Sequence, residues 1–256
     1  MIHYQIYNQN KPHWVTFVHG AGGSSAIWYK QKAFFLKYFN VLLIDLRGHG
    51  QSAGIQNTSP YTFNNISRDL IDILDKEEIS KSHFIGISMG SMIIRNLVTT
   101  HPERVHKVVL GGMVVRLNNL AMVLLYITRL TKQILPIMLM YKTLAKIILP
   151  KKSHNSSKNR FIKEAKKLSK TEFLRWFSMT KELPSIFASF KKISAVQILY
   201  IQGSEDHLFL NDVKSFVENK KNETLIIIPN CGHLINLQKP NTFNKIAADF
   251  LTLQQS

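Results

Sequence analysis

Short apolar runs with little polar alternation recur through the first 110 residues and again after residue 196, and stretches of helical spacing separate them. Trp14-Val15-Thr16-Phe17-Val18, Val41-Leu42-Leu43-Ile44, His83-Phe84-Ile85-Gly86-Ile87, Val108-Val109-Leu110, Gln197-Ile198-Leu199-Tyr200-Ile201 and Leu225-Ile226-Ile227-Ile228 each read as a buried strand. A strand apolar on both faces has to be covered on both, and a parallel sheet layered between helices does this. The intervening segments supply those helices. Ser24 or Ser25 can cap one running to about Phe39, and residues 62–79 place Ile66, Leu70, Ile73 and Leu74 on one face. Another helix runs over 89–100 and closes before Pro102, with later ones near 212–220 and 242–253. The expected class is α/β, a mostly parallel central sheet flanked by helices.

The alternation lapses over 113–193, which reads as several helices broken at Pro136, Pro150 and Pro184, with a polar basic loop around 151–159. The expected organisation is therefore a core domain of residues 1–112 and 194–256, interrupted by an all-helical cap or lid insertion over 113–193. With 256 residues, 45% hydrophobic and 19% charged, the chain fits one large globular domain and excludes disordered and collagen-like classes. The single cysteine, Cys231, excludes an intramolecular disulfide framework and a cysteine-rich zinc site. The first residues have neither a basic n-region nor an apolar h-region. The longest apolar stretches, near 120–127 and 134–141, fall short of the roughly 18 residues of a spanning helix. A cytoplasmic location is expected.

Charge is distributed unevenly. Residues 116–192 hold 17 Lys and Arg against Glu164, Glu172 and Glu182, a net +14 out of +17 for the whole chain. Any electrostatic partner should meet the protein there.

Gly86-Ile87-Ser88-Met89-Gly90 fits G-x-S-x-G, and it lies between an expected strand and an expected helix. A serine on so sharp a turn is held out from the sheet, and the following helix aims N–H groups at the place where negative charge would develop. The plainer reading is a strand–helix turn built of small residues. A serine hydroxyl needs a base, and His233, in a loop after the 225–228 strand, would lie on the same sheet edge. Otherwise it is a loop histidine without a task. The base needs an acid to fix its tautomer, and Asp206 follows the strand ending near Ile201, in the order Ser…Asp…His. Glu205 is the neighbouring competitor, read as a solvated loop charge. His19 and His49 lie in glycine loops and are expected to shape them.

These motifs together resemble the α/β-hydrolase superfamily across nearly the whole chain. His19-Gly20-Ala21-Gly22-Gly23 resembles the family's H-G loop, which implies an oxyanion hole from the N–H groups of Ala21 and Met89. Asp45-Leu46-Arg47-Gly48-His49-Gly50-Gln51-Ser52 is similar to the structural D-x-R-G-x-G-x-S loop, and Pro102-Glu103-Arg104-Val105 to another structural segment. The helical insertion corresponds to the family's cap. Ser91 departs from the pattern where many relatives have a glycine, and the stretch before the first expected strand is too short for all the usual leading strands. The resemblance implies a serine hydrolase of carboxylic esters, with Ser88, Asp206 and His233 as triad. A C–C hydrolase, a lyase, a haloperoxidase-like enzyme and a non-catalytic binding protein are the alternatives on this fold.

No H-E-x-x-H, P-loop or G-x-G-x-x-G after a strand is present, so no metal or organic cofactor is expected. The expected partner is a small-molecule ester, from small or medium acyl to lipid-like. The basic segment lacks a nucleic-acid-binding motif, so nucleic acid is not expected. Its apolar stretch, residues 120–149, reads as packing or as an acyl-binding pocket. Its charges read as a peripheral contact for anionic membrane, through Lys151, Lys152, Lys163, Lys166 and Lys167. Oligomeric state has no signature here.

Overall fold

The unalternating runs assemble into one sheet. The computed structural model describes residues 1–56 and 59–253. Its strands are β1 (Tyr4–Tyr7), β2 (Trp14–Val18), β3 (Asn40–Ile44), β4 (Ser82–Ile87), β5 (Val105–Gly111), β6 (Gln197–Gly203) and β7 (Glu223–Ile228). Between and after them lie α1 (Tyr29–Phe35), α2 (Phe63–Lys76), α3 (Met89–Thr100), α4 (Asn119–Thr131), α5 (Ile137–Ile148), α6 (Asn155–Ala165), α7 (Lys170–Ser178), α8 (Leu183–Phe190), α9 (Leu210–Val217), α10 (Ile235–Gln238) and α11 (Pro240–Thr252).

The strand order is β1-β3-β2-β4-β5-β6-β7, with β1 antiparallel to β3 and every other pairing parallel. From β2 the chain passes first to β3 on one side and then to β4 on the other. In open α/β sheets the cleft at the carboxyl ends of such a switch point is where ligands bind. The loops leaving β2 and β4 are the ones that carry His19-Gly20-Ala21 and Ser88.

Adjacent strand residues belong to opposite faces. Leu42, Ile44, Phe84 and Tyr200 join one core cluster with Ile66 and Leu70 of α2 and Ile93 and Leu97 of α3. Val41, Leu43, Ile85 and Leu199 join the other with Phe35 of α1 and Phe243 and Ala247 of α11. The helical run α4–α8 feeds both: Ile186 and Phe190 enter the first cluster, Tyr141, Phe161 and Ala165 the second. No helix among the described residues is long and apolar enough to cross a membrane.

Some boundaries differ from the expectations. The short edge strand β1 has no counterpart among the expected strands; Tyr4–Tyr7 is only half-buried, so it lacks the unbroken apolar signal of the inner strands. The helix expected to reach Phe39 is a 3-10 turn over Ser25–Trp28 followed by α1, which stops at Phe35. Pro184 does not interrupt a helix; it lies in the first turn of α8, where its missing N–H is harmless. The basic loop expected at 151–159 is instead a 3-10 turn, Lys152–His154, leading directly into α6. His154, Ser157, Phe161, Glu164, Ala165 and Leu168 are buried at helical spacing, an inward face that polar letters concealed.

Candidate active site

Ser88 joins β4 to α3 at φ 53° and ψ −119°, a left-handed conformation for a residue with a Cβ. Its flanking glycines are there for room. A Cβ on Gly90 would sit 2.3 Å from Val18 O, and one on Gly86 would sit 2.7 Å from the Ser91 nitrogen. The turn is pinned to β5, because Ser88 N and Ser91 Oγ both donate to Gly111 O at 2.8 Å. Ser91, the departure from the family pattern, thus uses its hydroxyl to fix the elbow.

His233 leaves the loop after β7, and Asp206 the loop after β6. The structure brings both to Ser88: His233 Nε2 lies 2.9 Å from Ser88 Oγ, and His233 Nδ1 lies 2.8 Å from Asp206 Oδ2. A carboxylate only accepts, so Nδ1–H donates to Asp206 and Nε2 is left to accept from the serine hydroxyl. Histidine and acid are both buried. The Phe209 ring lies 5.3 Å from the imidazole and walls it on one side. The His233 loop is tied to its neighbours by Glu205 N donating to Cys231 O and Gly232 N donating to Gln238 Oε1.

Of the two residues expected to supply oxyanion donors, Met89 directly follows Ser88 and Ala21 lies in the loop after β2. Met89 is the first residue of α3, so its N–H has no acceptor within its own helix. Ala21 lines one cavity with Ser88 and His233. Two imidazoles hold the Ala21 loop. Gly22 N donates to His49 Nε2 at 3.0 Å, and Leu46 N donates to His19 Nε2 at 3.0 Å. Each ring uses its Nδ1–H on a backbone carbonyl, His49 on Arg47 O and His19 on Gly20 O. Burial pushes both rings down, His49 to about 3, so both stay neutral and able to accept. The Asp45 loop supports this from below: Ser25 N and Gln51 N donate to its carboxylate, and Arg47 grips Asp69 through two hydrogen bonds.

The cavity beside Ser88 holds about 60 Å³. Its walls include Ile27, Leu144, Ile148, Phe161, Leu234 and Leu237, with Glu164 among them. A larger hollow of about 300 Å³, lined by Gln5, Lys32, Asp45 and Lys167 among others, contains none of Ser88, Asp206 and His233. Asp45, Gly50 and Gln51 of the Asp45 loop are part of its lining.

Two residues have roles that sequence reasoning missed. Glu164 is buried in the wall and accepts from Ser24 Oγ at 2.7 Å and Lys167 Nζ at 2.9 Å. Burial alone would raise its pKa, but the hydrogen bonds from Lys167 and Ser24 more than reverse this and keep it ionised. Only its rarity, one of three acids in a basic segment, marks it in the sequence. Glu205, expected as a solvated charge, is instead clasped at 2.7 Å by both Lys151 and His154. It ties the start of α6 to the loop that carries Asp206. Among the described residues no group of three or more His, Cys, Asp or Glu side chains is arranged to hold a metal ion.

Comparison with known proteins gives the same fold. A putative 2-succinyl-6-hydroxy-2,4-cyclohexadiene-1-carboxylate synthase of Bacillus subtilis is 26% identical over 255 residues, covering 93% of this chain and 90% of that protein. A putative carbamate hydrolase, RutD, of Yersinia enterocolitica is 34% identical over 110 residues, 42% of this chain. That match spans only 39% of the RutD length. Other curated relatives are matched over similarly short stretches, such as 28% of 3-oxoadipate enol-lactonase 1 of Acinetobacter baylyi. Among solved structures, MenH of S. aureus superposes with a TM-score of 0.84 at 21% identity, covering 98% of both chains. A carboxylesterase study of Nitrososphaera gargenis supplies another, at 0.80 and 22% identity over 97% of this chain and 93% of that one. The family model for the alpha/beta hydrolase fold matches residues 13–240. The chain belongs to the α/β-hydrolase family.

Proposed function

We propose that this chain is a serine hydrolase of carboxylic esters, with Ser88 as nucleophile, His233 as general base and acid, and Asp206 as its orienting carboxylate. The observation that carries the reading is the unbroken relay Ser88–His233–Asp206, 2.9 and 2.8 Å, opening on a cavity with mostly apolar walls. Ser88 Oγ attacks the ester carbonyl as Nε2 takes its proton, and the oxyanion forms between the N–H groups of Ala21 and Met89. The imidazolium then gives the proton to the departing alcohol, leaving an acyl-serine. Water, deprotonated by the same nitrogen, releases the acid. Residues 113–193 act as the cap in this scheme: Leu144 and Ile148 of α5 and Phe161 of α6 form the acyl side of the cavity. A space of about 60 Å³ suits a short acyl group, and longer chains need those side chains to move.

A second reading is a lyase, favoured by the Bacillus subtilis protein, whose match extends over most of both chains. That protein is named for making a carboxylate. The cavity here presents an ionised Glu164 and no Lys or Arg among its lining residues, which favours a neutral substrate. A non-catalytic binding protein has no need of a complete relay on a strained serine. The test is a fluorophosphonate label together with nitrophenyl esters graded by acyl length. Labelling that vanishes in Ser88→Ala, with turnover greatest for the short acyl esters, is the expected result. A folded protein that takes no label and cleaves no ester would overturn it.

A further inference from the structure

Helix α4 is amphipathic the wrong way round for a helix facing water. Of its thirteen residues only Ala121 is buried. Met122, Val123, Tyr126, Ile127 and Leu130 recur at i, i+1, i+4, i+5 and i+8 and are each between 49% and 62% exposed. Ile134, in the connection to α5, extends the stripe and is 82% exposed. In α2, by contrast, the outward positions are Asn64, Arg68, Asp75 and Lys76, and the apolar side packs on the sheet. A helix normally turns its apolar stripe to the core, and an apolar patch left in solvent marks a surface that something else covers.

Charge says what covers it. No Asp or Glu lies between Glu103 and Glu164 in the sequence. Arg129 on α4, Lys132 just after it, and Lys142 and Lys146 on α5 therefore have no acidic neighbour along the chain. Among the described residues, the Lys and Arg ion pairs of the 113–193 segment are elsewhere, at Arg116–Asp212, Lys151–Glu205, Lys167–Glu164 and Arg175–Glu172. Two of the five lysines expected from the sequence to meet lipid, Lys151 and Lys167, are thus already paired. A second copy of this chain would set these cations against one another, and a nucleic-acid backbone has no use for an apolar stripe. An exposed helix with large apolar side chains and only positive charge beside them fits the interface of an anionic bilayer, apolar groups among the acyl chains and Lys and Arg at the headgroups.

We infer that α4 is an interfacial helix that docks this protein reversibly on anionic lipid surfaces. Leu144 of α5 is itself exposed and lines the Ser88 cavity, so docking through this region brings the cavity near the lipid. The docking does not depend on the proposed hydrolysis.

The experiment is co-sedimentation of the whole chain with phosphatidylglycerol vesicles and with phosphatidylcholine vesicles, at low and high salt. Wild-type protein should partition on the order of tenfold more strongly to the anionic vesicles at low salt, with the difference shrinking at high salt. Val123→Ser, Ile127→Ser and Leu130→Ser together should lower that binding about tenfold, and Arg129→Gln, Lys142→Gln and Lys146→Gln together should remove the anionic preference. All six positions are exposed and lie outside the candidate active site, so circular dichroism of both variants should match wild type. Equal binding to both vesicles, no binding, or a serine variant that binds like wild type would overturn the inference. So would concentration-dependent self-association, without vesicles, that the serine variant loses, because the occupant would then be a second copy. A protein that binds anionic vesicles but cleaves no ester would retain this inference and lose the proposed function.

Discussion

Ser88 at φ 53° stores on the order of 1–3 kcal/mol of backbone strain, held by the bonds that Ser88 N and Ser91 Oγ donate to Gly111 O and by Gly86 and Gly90, which have no Cβ to clash. The strain and the relay make separate predictions. Ser88→Ala and His233→Ala should each lower ester turnover by several orders of magnitude, and Asp206→Asn by about 10⁴, with circular dichroism unchanged. Ser88→Ala that turns over ester at near wild-type rate would end the nucleophile assignment. Gly90→Ala, by contrast, should fail as a fold, because its Cβ would lie 2.3 Å from Val18 O. Glu164 tests the cavity. An ionised carboxylate in the wall should repel an acyl group that carries its own carboxylate. Glu164→Gln should therefore raise kcat/KM for a hemisuccinate ester about tenfold relative to the butyrate ester of the same alcohol. An unchanged ratio would mean that the acyl group never meets Glu164. The three relay residues are legible in the sequence because each is a required residue type at a strand's carboxyl end. Glu164 is not legible, because its role exists only once α6 has folded against the Ala21 loop.

At the scale of elements, legibility follows burial. Of the inner strands, β2, β3, β4 and β6 are buried at almost every position and start within a residue of where the pattern puts them. The edge strand β1 is only half-buried, and its four residues carry no distinctive pattern. The first five residues of α6 fall in the stretch expected as loop, because Asn155, Ser156, Ser157 and Asn159 are poor helix formers. Tertiary packing wins there: His154 closes on Glu205, and Phe161 and Ala165 enter the core. Phe161 joins that packing to the cavity wall, so its truncation has two readouts. Phe161→Ala should destabilise by about 3–5 kcal/mol in chemical denaturation. It should also shift the preferred acyl chain to a longer one, because the space it vacates adjoins the cavity. Loss of stability with an unaltered chain-length profile would place the acyl group elsewhere.

Over the whole molecule, acid should act on histidines that folding keeps neutral. His49 beneath the Ala21 loop and His83 on β4 are both held at about 3 instead of the ordinary 6.5, chiefly by burial, and His19 is lowered by the same cause. His83 also faces the rings of His13 and His106, at 5.7 and 5.2 Å, and each disfavours charge on the other. A folded-state pKa below the unfolded value means that the unfolded chain binds more protons in between. Stability is therefore greatest above about pH 6.5 and is lost as pH falls from there towards 3, by up to about 1.4 kcal/mol per pH unit for each such histidine. Asp45 and Glu164 lose their hydrogen-bonded charges in the same direction but only at lower pH, since both already lie below the usual carboxylate range. The chain starts from a net +17, so every added proton also meets a like-charged molecule. The urea midpoint should stay nearly level from pH 8 to about pH 6.5 and fall from there to pH 5, before the carboxylates titrate. His83→Gln, which cannot take up the proton, should flatten that slope by roughly one histidine's share even if it lowers stability at pH 8. A midpoint constant from pH 8 to pH 5 would show that these rings stay as protonatable in the fold as outside it.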